Sequence, residues 1–243
     1  MRVALLSDIH ANLAALEAVL KHADDERSEC VWNLGDLVGY GPDPDRVIEL
    51  MVIEGARGVM GNHDAAVAGL IGTETFNSLA AQAVAWTIGH TTLESREYLA
   101  GLPKVERDGF YTRLHGSLRE PLWEYVSTFE AARTHFALQE TPYSVVGHTH
   151  LPLVVREVSP GRVEAITPEP EAVIELGEER LCINPGSAGQ PRDGDPRVSY
   201  AILDTDEGTI AFHRVEYDIE TTQTRMRARG LPEPLAGRLS IGR

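Results

Sequence analysis

The chain has 243 residues, 42% of them hydrophobic and 24% charged, which suits a globular protein able to bury a sizeable core in one large or two small domains. Its net charge of −15 repels polyanions, so no stable nucleic-acid partner is expected unless a local cluster of cations overrides it. No run of about 18 apolar residues could span a bilayer, and the apolar part of Met1–Asp8 is too short for a signal peptide, so a cytoplasmic protein with no membrane partner is expected.

Arg2–Ser7 reads as a buried strand, with Asp8-Ile9-His10 directly after its apolar part. An extended backbone there would put Asp8 and His10 on one side. Leu13, Leu16, Val19 and Leu20 recur at helical spacing between Asn12, a plausible cap, and His22. Cys30–Leu34 is a second strand, ending in Gly35-Asp36, and the Gly/Pro-rich loop from Gly39 to Pro44 leads into a helix near Asp45–Ile53. Gly58-Val59-Met60 makes a third strand, followed by Gly61-Asn62-His63-Asp64. Alone, that tetrapeptide is equally well read as turn chemistry. Strands alternating with helices imply parallel pairing, with polar residues gathered at the carboxyl ends.

Residues 65 to 100 read as mostly helical, Ala80–Ile88 being the most continuous piece, with His90 in a loop or at a helix end. Phe110–Leu114 is a strand ending in His115-Gly116-Ser117, Thr128–Gln139 is helical, and Tyr143–Val146 is a strand ending in Gly147-His148-Thr149-His150. Beyond residue 150, runs rich in β-branched residues at 153–158, 162–166, 172–176, 180–183, 198–204 and 209–217 read as antiparallel strands forming a second sheet. Asn184-Pro185-Gly186-Ser187 carries no metal-ligand pattern, though it could line a site. Asp218–Arg243 carries five arginines against three acids and reads as a solvated helix followed by a loose tail, which divides the chain into a domain at 1–217 and a C-terminal segment at 218–243.

Collected, the groups following apolar strands are Asp8, His10, Asp36, Asn62, His63, His115, His148 and His150, among them five of the nine histidines. Carboxylate, amide and imidazole donors without thiolate suit Mn, Fe, Zn, Ni or Co better than Ca or Mg. Seven ligands exceed the need of one four-coordinate zinc, whereas two divalent ions about 3.5 to 4 Å apart and sharing a carboxylate would use them all. Asp36, alone after its strand, is the expected bridge. His22, His90, His135 and His213 lack such a setting and read as ordinary satisfied polar groups. Cys30 and Cys182 form neither a zinc-type pair nor a disulfide framework and read as small buried hydrophobes.

The ordered set Asp8-x-His10, Gly35-Asp36, Gly61-Asn62-His63-Asp64, His115-Gly116 and Gly147-His148-Thr149-His150 resembles the calcineurin-like metallophosphoesterase superfamily, all five motifs occurring in sequence order. The resemblance implies an α/β (α+β) protein with a four-layer α/β/β/α sandwich of two mixed sheets flanked by helices. It implies that Asp8, His10, Asp36 and His150 hold one metal and that Asp36, Asn62, His115 and His148 hold the other. His63 would then lie beside the metals, facing the leaving group, as general acid. Asp64 either orients that imidazole or serves the turn.

The implied activity is hydrolysis of a phosphodiester or small phosphate ester. A nucleotide or dinucleotide pyrophosphohydrolase and a non-catalytic metal-binding scaffold are the alternatives. A small phosphate ester or nucleotide is the expected substrate, and a homo-oligomer is compatible with the sequence. Relatives acting as protein phosphatases or on dinucleoside tetraphosphates read Gly-Asp-x-Val-Asp-Arg-Gly at the second motif. This chain reads Gly35-Asp36-Leu37-Val38-Gly39-Tyr40-Gly41, and Asp64 stands where those relatives carry Glu. Both departures favour the small bacterial and archaeal phosphodiesterases of the superfamily over protein phosphatases. Tyr40, Arg119, Trp123 and Tyr125 are weaker candidates for contacting a base or leaving group, with loop packing as the competing reading.

Overall fold

β1 (Arg2–Leu6) is apolar on both faces, and in the computed structural model, which describes residues 1–243, each face meets a different partner. Ala4 and Leu6 pack with Leu16 and Val19 of α1 (Leu13–Asp25) and with Val47 and Met51 of α2 (Pro44–Ile53). Val3 and Leu5 pack instead with Val145, Val154, Leu181 and Ile183 of a second sheet. Leu5 and Leu6 are both 0% exposed, and removing each from water stabilises the fold by about 1.5–3 kcal/mol. α1 begins where Asn12 caps it, the Asn12 side chain accepting from Ala15 N, as its sequence position suggests.

The first sheet has the order β3-β2-β1-β11-β12-β9, built from β2 (Cys30–Asn33), β3 (Arg57–Gly58), β9 (Val173–Glu175), β11 (Val198–Asp204) and β12 (Thr209–Val215) around β1. The second has the order β4-β5-β6-β10-β7-β8, from β4 (Val105–Asp108), β5 (Tyr111–Leu114), β6 (Tyr143–Val145), β7 (Pro152–Ser159), β8 (Arg162–Ile166) and β10 (Arg180–Pro185). β1, β2 and β3 are parallel, as are β5, β6 and β10, while the remaining pairings are antiparallel. Leu114, Val146, Val155 and Cys182 on the outer face of the second sheet meet Ala132 and Phe136 of α6 (Phe129–Leu138). The layers are therefore helix, sheet, sheet, helix, the expected four-layer sandwich. No helix is long and apolar enough to cross a membrane.

Four local expectations are corrected. The strands after residue 150 do not form one sheet of their own: β9, β11 and β12 extend the first sheet beside β1, while β7, β8 and β10 complete the second. Strand periodicity reports which side chains are buried but not which neighbour supplies the hydrogen bonds. β3 covers only Arg57–Gly58, and Asn62-His63-Asp64 is the first turn of α3 (Asn62–Val67) rather than a strand tip. β4, reading Val-Glu-Arg-Asp, was not evident in the sequence, because a charged strand at the sheet edge buries little. α4 (Ser78–Gly89) and α5 (Leu93–Gly101) account for the helical stretch that follows α3, with His90 capping the end of α4.

The fourth correction concerns the C-terminus, which is not loose. α7 (Ile219–Ala228), α8 (Glu233–Gly237) and a 3₁₀ turn (Arg238–Ile241) place Met226, Leu231, Leu235, Ala236 and Leu239 against Tyr40, Ala80 and Ala83. Arg225 and Arg229 pair with the buried Asp43 at 3.2 and 3.1 Å, fastening the segment to the loop before α2. The net positive charge that suggested solvation is thus partly used in docking. Leu235→Ala should lower unfolding stability by about 2–4 kcal/mol in urea titration, as expected for a buried leucine. A change below about 1 kcal/mol would show that this segment is not part of the cooperative unit.

Candidate active site

The parallel strands of both sheets end at one place, and the chain leaves each of them through tight turns. Asp8, His10, Asp36, His148 and His150 have φ of 53°, 50°, 57°, 67° and 60°, in the left-handed region. Each such residue costs on the order of 1–3 kcal/mol. The turns, not an extended backbone, bring Asp8 and His10 together, contrary to the simple strand reading. Backbone bonds lace the two loops: Asp8 N, His10 N and Ala11 N donate to the carbonyls of Gly35, Asp36 and Leu37 at 3.0, 3.0 and 2.8 Å. A side chain at Gly61 would collide with the Asp36 carboxylate and backbone, so only glycine lets α3 approach this closely.

All eight residues singled out in the sequence meet here, none more than 6% exposed. Asp8, His10 and His150 form one cluster, Asp36, His115 and His148 a second, and His10, Asp36 and His63 a third, the ligand atoms in each lying within 4.8 Å of one another. His10 Nδ1, His115 Nδ1, His148 Nε2 and His150 Nδ1 contact the carbonyls of Val38, Leu34, Trp123 and Gln190 at 3.0, 2.8, 3.2 and 2.6 Å. A carbonyl only accepts, so each of these nitrogens carries a proton, and on His10, His148 and His150 the opposite nitrogen presents a lone pair to the centre.

Those lone pairs face one another. His10 Nε2 lies 3.2 Å from His150 Nε2, and Asp8 Oδ1 lies 3.2 Å from His150 Nε2 and 3.9 Å from His10 Nε2. Burial lowers both imidazoles, so no proton sits among these three acceptors near neutral pH. Asp8 Oδ1 and Asn62 Oδ1 are buried without a hydrogen-bond donor. Acceptors this close and this dry could hold a cation between them, and their spacing suits ligands about 2 Å from a common ion.

At the second cluster His115 Nε2 lies 3.1 Å from His148 Nδ1 and 3.3 Å from Asp36 Oδ2. Burial alone would lower His115, but the carboxylates of Asp36 and Asp8 outweigh it and hold the imidazole up to about 9. A proton on His115 meets the demand for positive charge in the metal-free protein. His148 is lowered to about 3 by burial and by His115. Asp8 and Asp36, which burial would raise, are carried well below the usual carboxylate range by the neighbouring imidazoles, chiefly His150 and His115 respectively.

The Asp64 carboxylate makes no hydrogen bond to the His63 imidazole. That carboxylate accepts from Asp36 N, Val38 N and Gly61 N at 2.8, 3.2 and 3.0 Å, so it caps α3 and shapes the Asp36 turn. Burial and the nearby Asp36 charge push it up to about 7 against those three donors. The His63 ring packs against Tyr40 (4.5 Å), His10 (4.9 Å) and Phe76 (5.0 Å), and its buried Nδ1 has no partner. Gly39, with φ of 90°, lies directly against that nitrogen, at the position where the relatives named above carry an acid. Burial lowers His63 to about 4.

Asn184 and Ser187 brace the site rather than line it. Asn184 Nδ2 donates to Gly147 O at 2.6 Å, and the Ser187 hydroxyl donates to Asp8 O at 2.8 Å. His22, His135 and His213 bond Tyr200, Ser144 and Glu171, while His90 stacks on Trp86, and none joins the centre.

A cleft of about 360 Å³ opens over Asp36, Asn62, His63, His148 and His150. Tyr40, Trp123 and Tyr125 line it as the sequence allowed, whereas Arg119 is exposed, pairs with Glu124 and lies outside it. Thr75, Phe76, Asn77, Arg192 and Arg238 also line the cleft and were missed. They sit in loops and the C-terminal turn, where a lone arginine or aromatic residue carries no periodic or motif signal.

A family model for the calcineurin-like phosphoesterase superfamily domain matches residues 1–208. The chain is 35% identical over 247 aligned positions to an uncharacterized protein of Methanocaldococcus jannaschii, covering 99% of this chain and 98% of that one. It is 45% identical to the crystal structure of a metallophosphoesterase from Sphaerobacter thermophilus, with a TM-score of 0.91 over 100% of this chain and 99% of the other. A hypothetical protein of Pyrococcus horikoshii, 22% identical, shares the fold with a TM-score of 0.81 over 100% of this chain and 98% of its own. The chain therefore belongs to the calcineurin-like phosphoesterase superfamily, the metal-dependent hydrolases of phosphoric esters.

Proposed function

We propose that residues 1–217 hydrolyse a phosphodiester or small phosphate ester in this cleft, with Asp8, His10, Asp36 and His150 holding one divalent transition metal and Asp36, Asn62, His115 and His148 the other. The observation that carries this reading is the group of buried acceptors, His10 Nε2, His150 Nε2 and Asp8 Oδ1, packed 3.2 to 3.9 Å apart with no donor between them. Imidazole-rich donors with two carboxylates favour Mn, Fe, Zn, Ni or Co over Mg or Ca. Two such ions, when bound, supply hydroxide near neutral pH and offset the charge on the phosphate oxygens.

The chain's own residues do the rest. The four carbonyl-anchored imidazoles and the Asp8 and Asp36 turns are preset, so little reorganises during reaction. As the phosphorus–oxygen bond to the leaving group breaks, His63 gives its proton to the departing alkoxide. Burial keeps His63 neutral near pH 7, and the negative charge of a bound phosphate ester together with Asp36 favours its protonation. The half-buried walls of Phe76 and Trp123 shed water from the leaving-group side.

With added Mn, the purified protein should hydrolyse bis(p-nitrophenyl) phosphate, and Asp36→Ala should reduce both turnover and bound metal to background by elemental analysis. Undiminished turnover in that variant would exclude the shared carboxylate. His63→Asn should lower kcat by about 10²-fold or more while two metals stay bound, the size expected for a general acid. Loss of metal in that variant would make His63 a ligand instead.

Metal uptake should also release a proton. His115 in the metal-free protein holds its proton up to about 9, above the ordinary value of 6.5, so at pH 7.5 a metal must displace it. The sign follows: affinity for metal falls as pH drops through this range, and the proton itself steadies the metal-free fold below pH 6.5, an effect lost as pH rises through about 9. Calorimetry of Mn binding in buffers of different ionisation enthalpy measures the release. Zero proton release at pH 7.5 would contradict the arrangement.

A further inference from the structure

Arginines in this acidic chain are generally matched to acids. Near Arg192, Arg197 pairs with Asp195 and Arg214 with Asp193, and in the C-terminal segment Arg225 and Arg229 both pair with Asp43. Of the six arginines without an acid partner, Arg27, Arg96, Arg133, Arg192, Arg238 and Arg243, only Arg192 and Arg238 line the cleft. Neither pairs with an aspartate or glutamate: Arg192 reaches the Gln190 side-chain oxygen at 3.3 Å, with its buried Nε unpartnered, and Arg238 donates through Nε to Arg243 O. Both line the cleft over the acceptor cluster.

Arg192 lies 5.9 Å above the Tyr40 ring, which packs 4.6 Å from His10 and 4.5 Å from His63, so it stands near the reacting centre. Arg238 lines the same cleft from the 3₁₀ turn of the C-terminal segment. Two guanidinium groups lining one cleft attract an anion between them. Tyr40 itself occupies the motif position where the relatives named above carry arginine, so here the cations come from elsewhere in the chain. In the same cleft Phe76 and Trp123 are half-buried and Tyr125 is 45% exposed, which leaves aromatic surface open to a flat ring.

We propose that Arg192 and Arg238 form an anion subsite for a phosphoryl group other than the one attacked, so that the substrate is a small nucleotide with at least two phosphoryl groups and its base against Phe76 and Trp123. This rests on the phosphoesterase reading above and names its substrate class. Residue 238 lies beyond the matched residues 1–208, so the docked C-terminal segment completes the binding cleft. A volume of about 360 Å³ accommodates a nucleotide, and the net charge of −15 disfavours a polymer.

The test uses Mn-loaded full-length protein and calorimetric binding of adenosine 5′-(α,β-methylene)diphosphate, AMP and inorganic pyrophosphate. The diphosphate analogue should bind about tenfold more tightly than AMP, the size of one added charge-assisted contact. Arg238→Gln should bring that ratio close to one, Arg192→Gln should do the same, and Arg238→Lys should restore part of it. Trp123→Ala should weaken the analogue several-fold relative to pyrophosphate. Circular dichroism and thermal melting establish that each variant is folded.

Equal wild-type affinity for AMP and the analogue, or a tenfold preference surviving in Arg238→Gln, overturns the anion subsite. An unchanged ratio of analogue to pyrophosphate affinity in Trp123→Ala overturns the base contact. Hydrolysis of bis(p-nitrophenyl) phosphate by wild type, measured alongside, separates these failures from failure of the phosphoesterase reading itself.

Discussion

The interior of this protein contains a place where acceptors meet acceptors. His10, His150 and Asp8 turn lone pairs toward one another across 3.2 to 3.9 Å, in a setting that burial keeps free of protons. Such crowding opposes folding unless positive charge relieves it, because desolvated lone pairs repel and the lost water is not replaced. The apolar layers on both sides of the first sheet, and the second sheet beyond, supply the burial that holds the cluster together. The architecture spends stability at one end of the strands and gathers it along their length.

Strain in the backbone has the same origin. Five of the eight converging residues adopt left-handed φ, a conformation that Asp and Asn tolerate better than most residues and that β-branched residues resist. The turns are fixed partly by residues outside the centre, Asp64 accepting from three backbone amides and Asn184 and Ser187 holding the loops after β6 and β1, and partly by the central carboxylates, Asp8 Oδ2 accepting from His148 N and Asp36 Oδ1 from His63 N. Asp64 and Asn184 thus set the positions of groups they do not contact. The carbonyls that orient four imidazoles belong to Val38, Leu34, Trp123 and Gln190, residues whose side chains are irrelevant to that role.

That explains what the amino-acid sequence revealed and what it did not. Convergence of Asp8, His10, Asp36, Asn62, His63, His115, His148 and His150 was legible because each follows a short apolar run, even where, as before Asn62, that run is not itself a strand. The alternate placement of β7, β8 and β10 in one sheet and β9, β11 and β12 in the other was not, since pairing partners are chosen by backbone hydrogen bonds that all residues share. Nor was the docking of the last helices: their apolar residues, Met226, Leu231, Leu235 and Leu239, are too few and too interrupted by Gly and Pro to read as a buried face. Arg192 and Arg238 were invisible for a third reason, because an unpaired arginine is recognised only by the absence of an acid nearby in space.

Gly39 ties the motif's departures to the chemistry. Where an acid would hold the His63 imidazole and raise its affinity for a proton, glycine leaves Nδ1 buried and unpartnered, and the ring is kept in place by Tyr40, His10 and Phe76. A buried imidazole without a carboxylate at its back is neutral until negative charge arrives on its other side. Under the proposed role, the proton needed for departure of the leaving group is then drawn in by the substrate's own charge. Such an arrangement couples protonation to occupancy, so the acid is armed in the complex and idle in the free protein. It also penalises substrates with little charge near the ester, which gives the centre a discrimination of its own before any contact with the outer cleft.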